Sequence, residues 1–190
     1  MKPLPVDFYA STDVCAIARE LLGQQVWVQG PQGLRGGMIT ETEAYAAQHD
    51  LASHAAGGRR TARNAVMFGP PGKAYVYLCY GVHHLLNLVT GPEGHAAAVL
   101  IRGLQPMHPE AAGSLGRGPG KLSRWLGIDR SWNGCDLQGP LLWVGAGSSI
   151  SDAQVVRTPR IGVVYAGTDA LLPYRFYIRG EKSVSLPLFP

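Results

Sequence analysis

The chain has 190 residues, 46% of them hydrophobic and only 16% charged, with 25 glycines, 14 prolines and a formal net charge of +4. That is long enough to bury a core as one domain spanning 1–190, and too apolar for a disordered chain. Three cysteines without C-x-x-C spacing (Cys15, Cys79, Cys135) argue against a disulfide framework or a zinc site, and no signal peptide or membrane-length apolar run is seen, so an intracellular chain is expected.

Residues 12–22, TDVCAIARELL, carry Val14, Ile17, Ala18, Leu21 and Leu22 at helical spacing, with Ser11 or Thr12 as the expected cap and Gly23 as the stop. Strands are expected at 24–29 and 36–45. The second ends in ETEAY, where alternation puts Ile39, Glu41, Glu43 and Tyr45 on one face. Glutamates usually face water, so a solvated edge is the ordinary reading of that face. A polar, glycine-rich loop follows over 46–72. KAYVYLCYGVHHLLNLV and AAAVLIRGLQP are rich in β-branched and aromatic residues and read as sheet. Gly81 turns a hairpin there, with Tyr75 and Tyr77 on one face and Tyr80 on the other face or at the tip. GPGKLSRWLGI opens on Gly-Pro and suits a short helix, while LLWVG, RIGVVYAG and YRFYIRG return to strands. The expected class is α+β: a single compact domain with a largely antiparallel β core and flanking helices.

Charge is unevenly spread. No acidic residue lies between Asp50 and Glu93, a window holding Arg59, Arg60, Arg63 and Lys73, and Arg117, Lys121 and Arg124 form a second basic group. Such clusters suit a surface that meets phosphates, although charge alone leaves a solvated loop equally open. Arg102 ends the apolar run VLIRG, where a guanidinium needs a carboxylate or phosphate partner. The six histidines lack metal-site spacing, and G-x-S-x-G, P-loop and dinucleotide patterns are missing, so neither a metal nor a cofactor is expected. Tyrosines, a histidine, carboxylates and arginines remain within one window: the parts of an aromatic cage, a general base and a phosphate grip.

ETEAY, then ASHAAGGRRTARNAVMF with its histidine nine residues after the tyrosine, then PPGKAYVYLCYGVHHLLNLVTGPEGHAAAVLIRGLQP, GPGKLSRWLGID and RIGVVYAG resemble the alkyladenine (3-methyladenine) DNA glycosylase family. The likeness is collinear from about Leu21 to Arg179. It implies a monofunctional base excision repair enzyme that hydrolyses the N-glycosidic bond of alkylated or deaminated purines, on a fold whose β-hairpin projects into the DNA minor groove. Carried over by position, Glu43 is the general base for the attacking water, Glu41 is structural, and Arg102 and the backbone carbonyl of Ile161 help fix that water. Tyr45, His54, Tyr77 and Asn87 match the base pocket, and Tyr80 matches the wedge that fills the vacated stack. Met67 matches a residue packed near the wedge, and Arg59, Lys121 and Arg130 match backbone-contacting positions. The implied partner is double-stranded DNA with a damaged purine, bound by a monomer without a membrane, in the cytoplasm around a bacterial nucleoid or in a eukaryotic nucleus.

The chemistry of these residues agrees with that expectation. Flipping a base costs a few kcal/mol of stacking and pairing, part of which an inserted tyrosine offsets. A tyrosine cage attracts a cationic alkylpurine by roughly 0.5–2 kcal/mol. No lysine in the site windows suits a Schiff base, so no lyase step is expected. AAQHD replaces the glycine-proline turn usual after the family's tyrosine, which bears on the placement of His54. Two rivals remain: a sugar O-glycosidase using Glu41 and Glu43, about 6.5–7 Å apart by strand rise, and a non-catalytic nucleic-acid-binding module, which leaves Glu43 without a task.

Overall fold

The computed structural model describes residues 2–107 and 115–187. After a short turn of 3-10 helix, α1 runs over Val14–Glu20. Its cap is Asp13, whose side chain accepts from the Ala16 amide at 2.9 Å. Ser11 instead supports Asp13, accepting from its amide at 3.1 Å, so the cap lies one residue later than Thr12. Val14, Ile17 and Ala18 are buried, and Gly23 leaves the helix with φ of 85°, a conformation open to glycine at no steric cost.

Strands β1 (Gln25–Gly30) and β2 (Gly33–Tyr45) form the first hairpin. Strands β3 (Ala74–Cys79) and β4 (His83–Thr90) form the second, followed by β5 (Ala97–Pro106), α2 (Pro119–Leu126), β6 (Leu142–Gly145), β7 (Val155–Thr158) and β8 (Arg175–Ile178). The order is β3-β4-β5-β2-β1-β6, with every pair antiparallel, and β8 lies against β2 with β7 beyond it. The long β2 is the axis: β5 flanks one edge, while the other pairs with β1 over Gly33–Met38 and with β8 over Glu41–Glu43. Helix α2 has proline in its first turn and ends at Gly127 in the left-handed region, as its sequence predicts.

The alternation expected along ETEAY is corrected at its start. The β2–β5 register shifts on both sides of Glu41. Ile39 therefore joins Ala44 and Leu104 in the main core, which also takes Val99, Ile101, Leu86 and Leu88. A bulge of this kind reverses which face a side chain meets. Thr42 also lies toward the helix side, donating to the Ala18 carbonyl at 2.8 Å. The opposite face carries Tyr75, Val89 and Ala98, covered by Ala55 and Met67 of the 46–72 loop.

Gly103 sits at this irregularity. A Cβ there would lie 2.7 Å from Thr40 Oγ1 and 2.9 Å from both Glu41 Cβ and the Ser183 carbonyl. Gly103→Ala is expected to lower stability by about 1–3 kcal/mol through overpacking. An unchanged urea midpoint would show that the C-terminal segment yields to the methyl at no cost.

RIGVVYAG is not a strand. Gly162 and Gly167 take φ of 78° and 59°, which an extended ladder cannot accommodate. The segment bends at Ile161–Gly162 and continues as irregular 3-10 helix over Val164–Leu171. No described helix is long and apolar enough to cross a membrane.

Candidate active site

The face of the sheet opposite the main core holds a small pocket lined by Tyr45, Ala52, His54, Met67, Tyr75, Tyr77, Asn87, Ala98 and Tyr165. An open cleft of about 840 Å³ adjoins it, sharing Tyr45, His54, Tyr77 and Tyr165. Three segments bound the cleft: the tip of the β3–β4 hairpin, the turn at Arg117–Lys121 and the loop at Ile161–Tyr165. Arg102 and Leu100 of β5 also line it.

Glu41 and Glu43 are both 0% exposed, which overturns the solvated-edge reading. Their surroundings differ. Glu41 Oε1 accepts from Arg102 Nε at 3.0 Å, Arg175 Nε at 2.7 Å and Ser185 Oγ at 2.8 Å. Its Oε2 accepts from the Ser185 amide at 2.6 Å. Burial pushes the Glu41 carboxyl up, but the Arg102 and Arg175 charges and the Ser185 donors outweigh it and hold it below the usual range. Neither glutamate is among the residues lining the cavities, but Glu43 is held by Tyr45, Arg102 and Ile161, which line them, whereas Glu41 is turned to Arg175 and Ser185, which do not. The two carboxylates therefore do not flank an open cleft as a pair, and the O-glycosidase reading loses its geometry.

Glu43 faces the pocket side. Its Oε2 accepts from the Tyr45 hydroxyl at 2.9 Å and Arg102 Nη1 at 3.3 Å, and its Oε1 accepts from the Ile161 amide at 2.7 Å. Ile161 thus reaches Glu43 through its N–H, a contact separate from the one expected of its carbonyl toward a water. Burial, then the charge of Glu43, raises the Tyr45 phenol well above its ordinary value, so it stays a donor. Burial works against the Arg102 charge, but Glu43 and Glu41 more than compensate and keep it cationic.

The wall opposite is aromatic. His54 Nδ1 lies 2.8 Å from the Tyr75 hydroxyl, and its ring meets Tyr77 edge-on at 4.6 Å between centroids. Asn87 spends its amide Nδ2 on the carbonyls of Tyr75 and Leu85, at 3.1 and 3.2 Å. Arg63 stands 4.9 Å from the centre of the Tyr77 ring, an energetically favourable approach. Burial, and then the Arg63 charge, lower His54 to about 4. An NMR titration should therefore show His54 changing charge near pH 4, and Arg63→Met should move that midpoint upward. Because the folded value lies below the ordinary one, this histidine contributes stability above its unfolded pKa that is lost as pH falls toward 4. A midpoint near 6.5 would mean that the ring is solvated.

The loop that follows ETEAY is pinned by Asp50. Its carboxylate accepts from the Ala46 and Ala52 amides, each at 2.9 Å, and from both Nη atoms of Arg160 at 2.5 and 2.8 Å. Arg160 also donates to the Ala44 carbonyl at 2.9 Å and stacks 4.8 Å from the Tyr45 ring centre. One buried ion pair therefore ties together the loop carrying His54, the end of β2 and the residue before Ile161. This holds His54 at the pocket despite the altered AAQHD turn.

The expected pocket residues Tyr45, His54, Tyr77 and Asn87 do converge. Tyr80 lies at the hairpin tip, 88% exposed, with φ of 50° beside Gly81 at 70°. A tyrosine rarely adopts that region, and its strain marks a position worth a functional account. Met67 is 2% exposed and lies in the pocket lining. Arg59, Lys121 and Arg130 are exposed. Residues that sequence reasoning missed are Tyr75 and Tyr165 as lining, Asp50 and Arg160 as the tie, and Arg175 and Ser185 as partners of Glu41. For these the sequence offered only an unexplained arginine in YRFYIRG and an aspartate after ETEAY. Among the described residues no cluster of three or more His, Cys, Asp or Glu could hold a metal.

A family profile described as methylpurine-DNA glycosylase matches residues 7–182 of the chain. A protein of Myxococcus xanthus is 46% identical over 185 residues, covering 97% of this chain and 94% of the relative. One from Methanocella arvoryzae is 45% identical over 197 residues, covering 97% and 96%, and one from Anaeromyxobacter dehalogenans is 49% identical over 186 residues, covering 97% and 87%. Each bears the provisional name 3-methyladenine DNA glycosylase.

Proposed function

Since the chain belongs to the methylpurine-DNA glycosylase family and is a DNA glycosylase, we propose that it flips alkylated or deaminated purines out of duplex DNA and hydrolyses them with a water activated by Glu43. The observation that carries this reading is the setting of Glu43: a wholly buried carboxylate held by Arg102, Tyr45 and the Ile161 amide beside an aromatic pocket. A base inside a duplex cannot reach such a pocket, so it must leave the stack. Tyr80, large, strained and exposed at the hairpin tip, is suited to take its place between the neighbouring bases.

In the reaction the water oxygen bonds to C1′ of the sugar and gives its proton to Glu43. The electron pair of the broken C1′–N bond departs with the base. An alkylated purine is cationic and leaves neutral, which eases the step, and Tyr45, Tyr77 and the neutral His54 offer it ring faces and edges. Tyr45 lines the pocket and donates its hydroxyl to Glu43, and the remaining lone pairs of that carboxylate are open to a water. No lysine lines the pocket, and Lys121 lines only the adjoining cleft; the proposed reaction is hydrolysis without strand cleavage. The basic residues Arg59, Lys121 and Arg130 are exposed to meet phosphates, and we propose a monomer as the working form.

The test is single-turnover release of free base from duplexes holding 7-methylguanine, hypoxanthine or no lesion. Release confined to the damaged duplexes is expected. Binding to all three without release from any would make the chain a nucleic-acid-binding module on a glycosylase fold.

A further inference from the structure

Arg102 touches Glu43 with only one of its three nitrogens. Nη1 reaches Glu43 at 3.3 Å, while Nε goes to Glu41 at 3.0 Å and Nη2 to Ser185 Oγ at 3.2 Å. Neither Glu41 nor Ser185 lines the pocket or the cleft. The orientation of the guanidinium is thus set from outside the site, by a residue far along the chain.

Ser185 is the hub of that support. Its amide and its hydroxyl both donate to Glu41, at 2.6 and 2.8 Å, while the hydroxyl accepts from Arg102. Its carbonyl accepts from Arg175 Nη2 at 2.9 Å, and Arg175 Nε closes the ring on Glu41 at 2.7 Å. The same segment is fastened by Ser183 Oγ to Thr40 Oγ1 at 2.9 Å, and by the Val184 carbonyl to Arg117 Nε at 2.9 Å. Each of these atoms lies in a buried or half-buried contact, where hydrogen bonds to charge are strong and a missing one is costly.

We propose that Ser185 is a positioning residue for base excision: the C-terminal segment locks Glu41 and the Arg102 guanidinium, and so sets Arg102 Nη1 on Glu43. This rests on the glycosylase reading given above. A guanidinium held at Glu43 Oε2 fixes the direction of that carboxylate, and so the line along which it meets the attacking water. The other groups facing Glu43 are Tyr45 on its own strand, Arg160 ahead of Ile161, Glu41 and, across the ladder on β8, Arg175. Glu41 also contacts Arg102, at Nε, and Ser185 holds Glu41 through both its amide and its hydroxyl, so loosening Ser185 frees the guanidinium at Nη2 directly and at Nε through Glu41.

The experiment is single-turnover release from a hypoxanthine duplex at saturating enzyme, with duplex affinity measured alongside. Ser185→Ala is expected to lower the rate about tenfold and to add no further loss in a Glu43→Gln background, because Ser185 acts on Glu43 through Arg102. Duplex affinity should be unchanged, and Ser185→Thr, which keeps the hydroxyl, should restore the rate. A rate loss that persists at full size in the Glu43→Gln background would mean a structural role only, and no rate loss would remove the role altogether; either overturns the proposal. Should Ser185→Ala fail to fold, Ser185→Cys, near-isosteric with a weak donor, is judged by the same outcomes. A wild type that releases no base would overturn the glycosylase reading itself, before any variant is compared.

Discussion

Glu43→Gln is expected to slow single-turnover release of free base by about 10²–10⁴-fold, the usual contribution of a general base, while binding damaged duplex within a few-fold of wild type. The substitution is nearly isosteric: one oxygen remains to accept from the Ile161 amide, and the new NH2 meets the Tyr45 hydroxyl, which can turn to accept, while Arg102 Nη1 loses its acceptor. What is lost is the capacity to take a proton. The residues proposed to meet phosphates, the exposed Arg59, Lys121 and Arg130, lie elsewhere, so affinity should survive. A Glu43→Gln enzyme that releases base at the wild-type rate would leave Glu43 as a structural carboxylate and would require another base.

Glu41→Gln is expected to act on stability first. The change removes the negative charge between two buried guanidiniums, Arg102 and Arg175. Breaking a buried ion pair typically costs about 3–5 kcal/mol, because the partner is left uncompensated. For a chain of this length each kcal/mol is worth roughly 2–4 °C in Tm. The sign with pH follows from the depressed Glu41 carboxyl. Its contribution is fully present above the unfolded carboxylate value and is lost as pH falls through the folded one, since the unfolded chain then binds the extra proton. Wild type should therefore lose stability on acidification more steeply than Glu41→Gln. Equal acid slopes in urea unfolding series would show that Glu41 is not ionised in the folded chain.

These two predictions separate residues that look alike in ETEAY. Most of the fold around them was legible locally. The spacing of Val14, Ile17, Ala18, Leu21 and Leu22 marks α1, the Gly-Pro start and Gly127 bracket α2, and the aromatic and β-branched run about Gly81 marks the β3–β4 hairpin. The cap of α1 missed by one residue because Ser11, Thr12 and Asp13 are all competent acceptors, and their geometry decides among them. RIGVVYAG failed as a strand because two glycines adopt positive φ, a choice that composition does not reveal. The pocket residues were found by resemblance and by chemistry, whereas Tyr165 and Tyr75 were not, since an aromatic in a strand or loop is most often plain packing.

From the sequence by itself came the element types, the face on which Tyr75 and Tyr77 lie, and the set of side chains able to do the chemistry, because these depend on neighbours within a few residues. The tertiary structure alone decided what each carboxylate does. Glu41 receives Arg175 and Ser185, 134 and 144 residues away, while Glu43 receives the Ile161 amide, 118 residues away, and the Tyr45 hydroxyl. It also decided that Ile39 parts company with Glu41 at the β2–β5 irregularity. The reason is one and the same: period-2 alternation is local, but a bulge is set by the partner strand, and a carboxylate buried without partners would be too costly to stay charged. The surroundings of each glutamate were therefore completed by residues more than a hundred positions downstream.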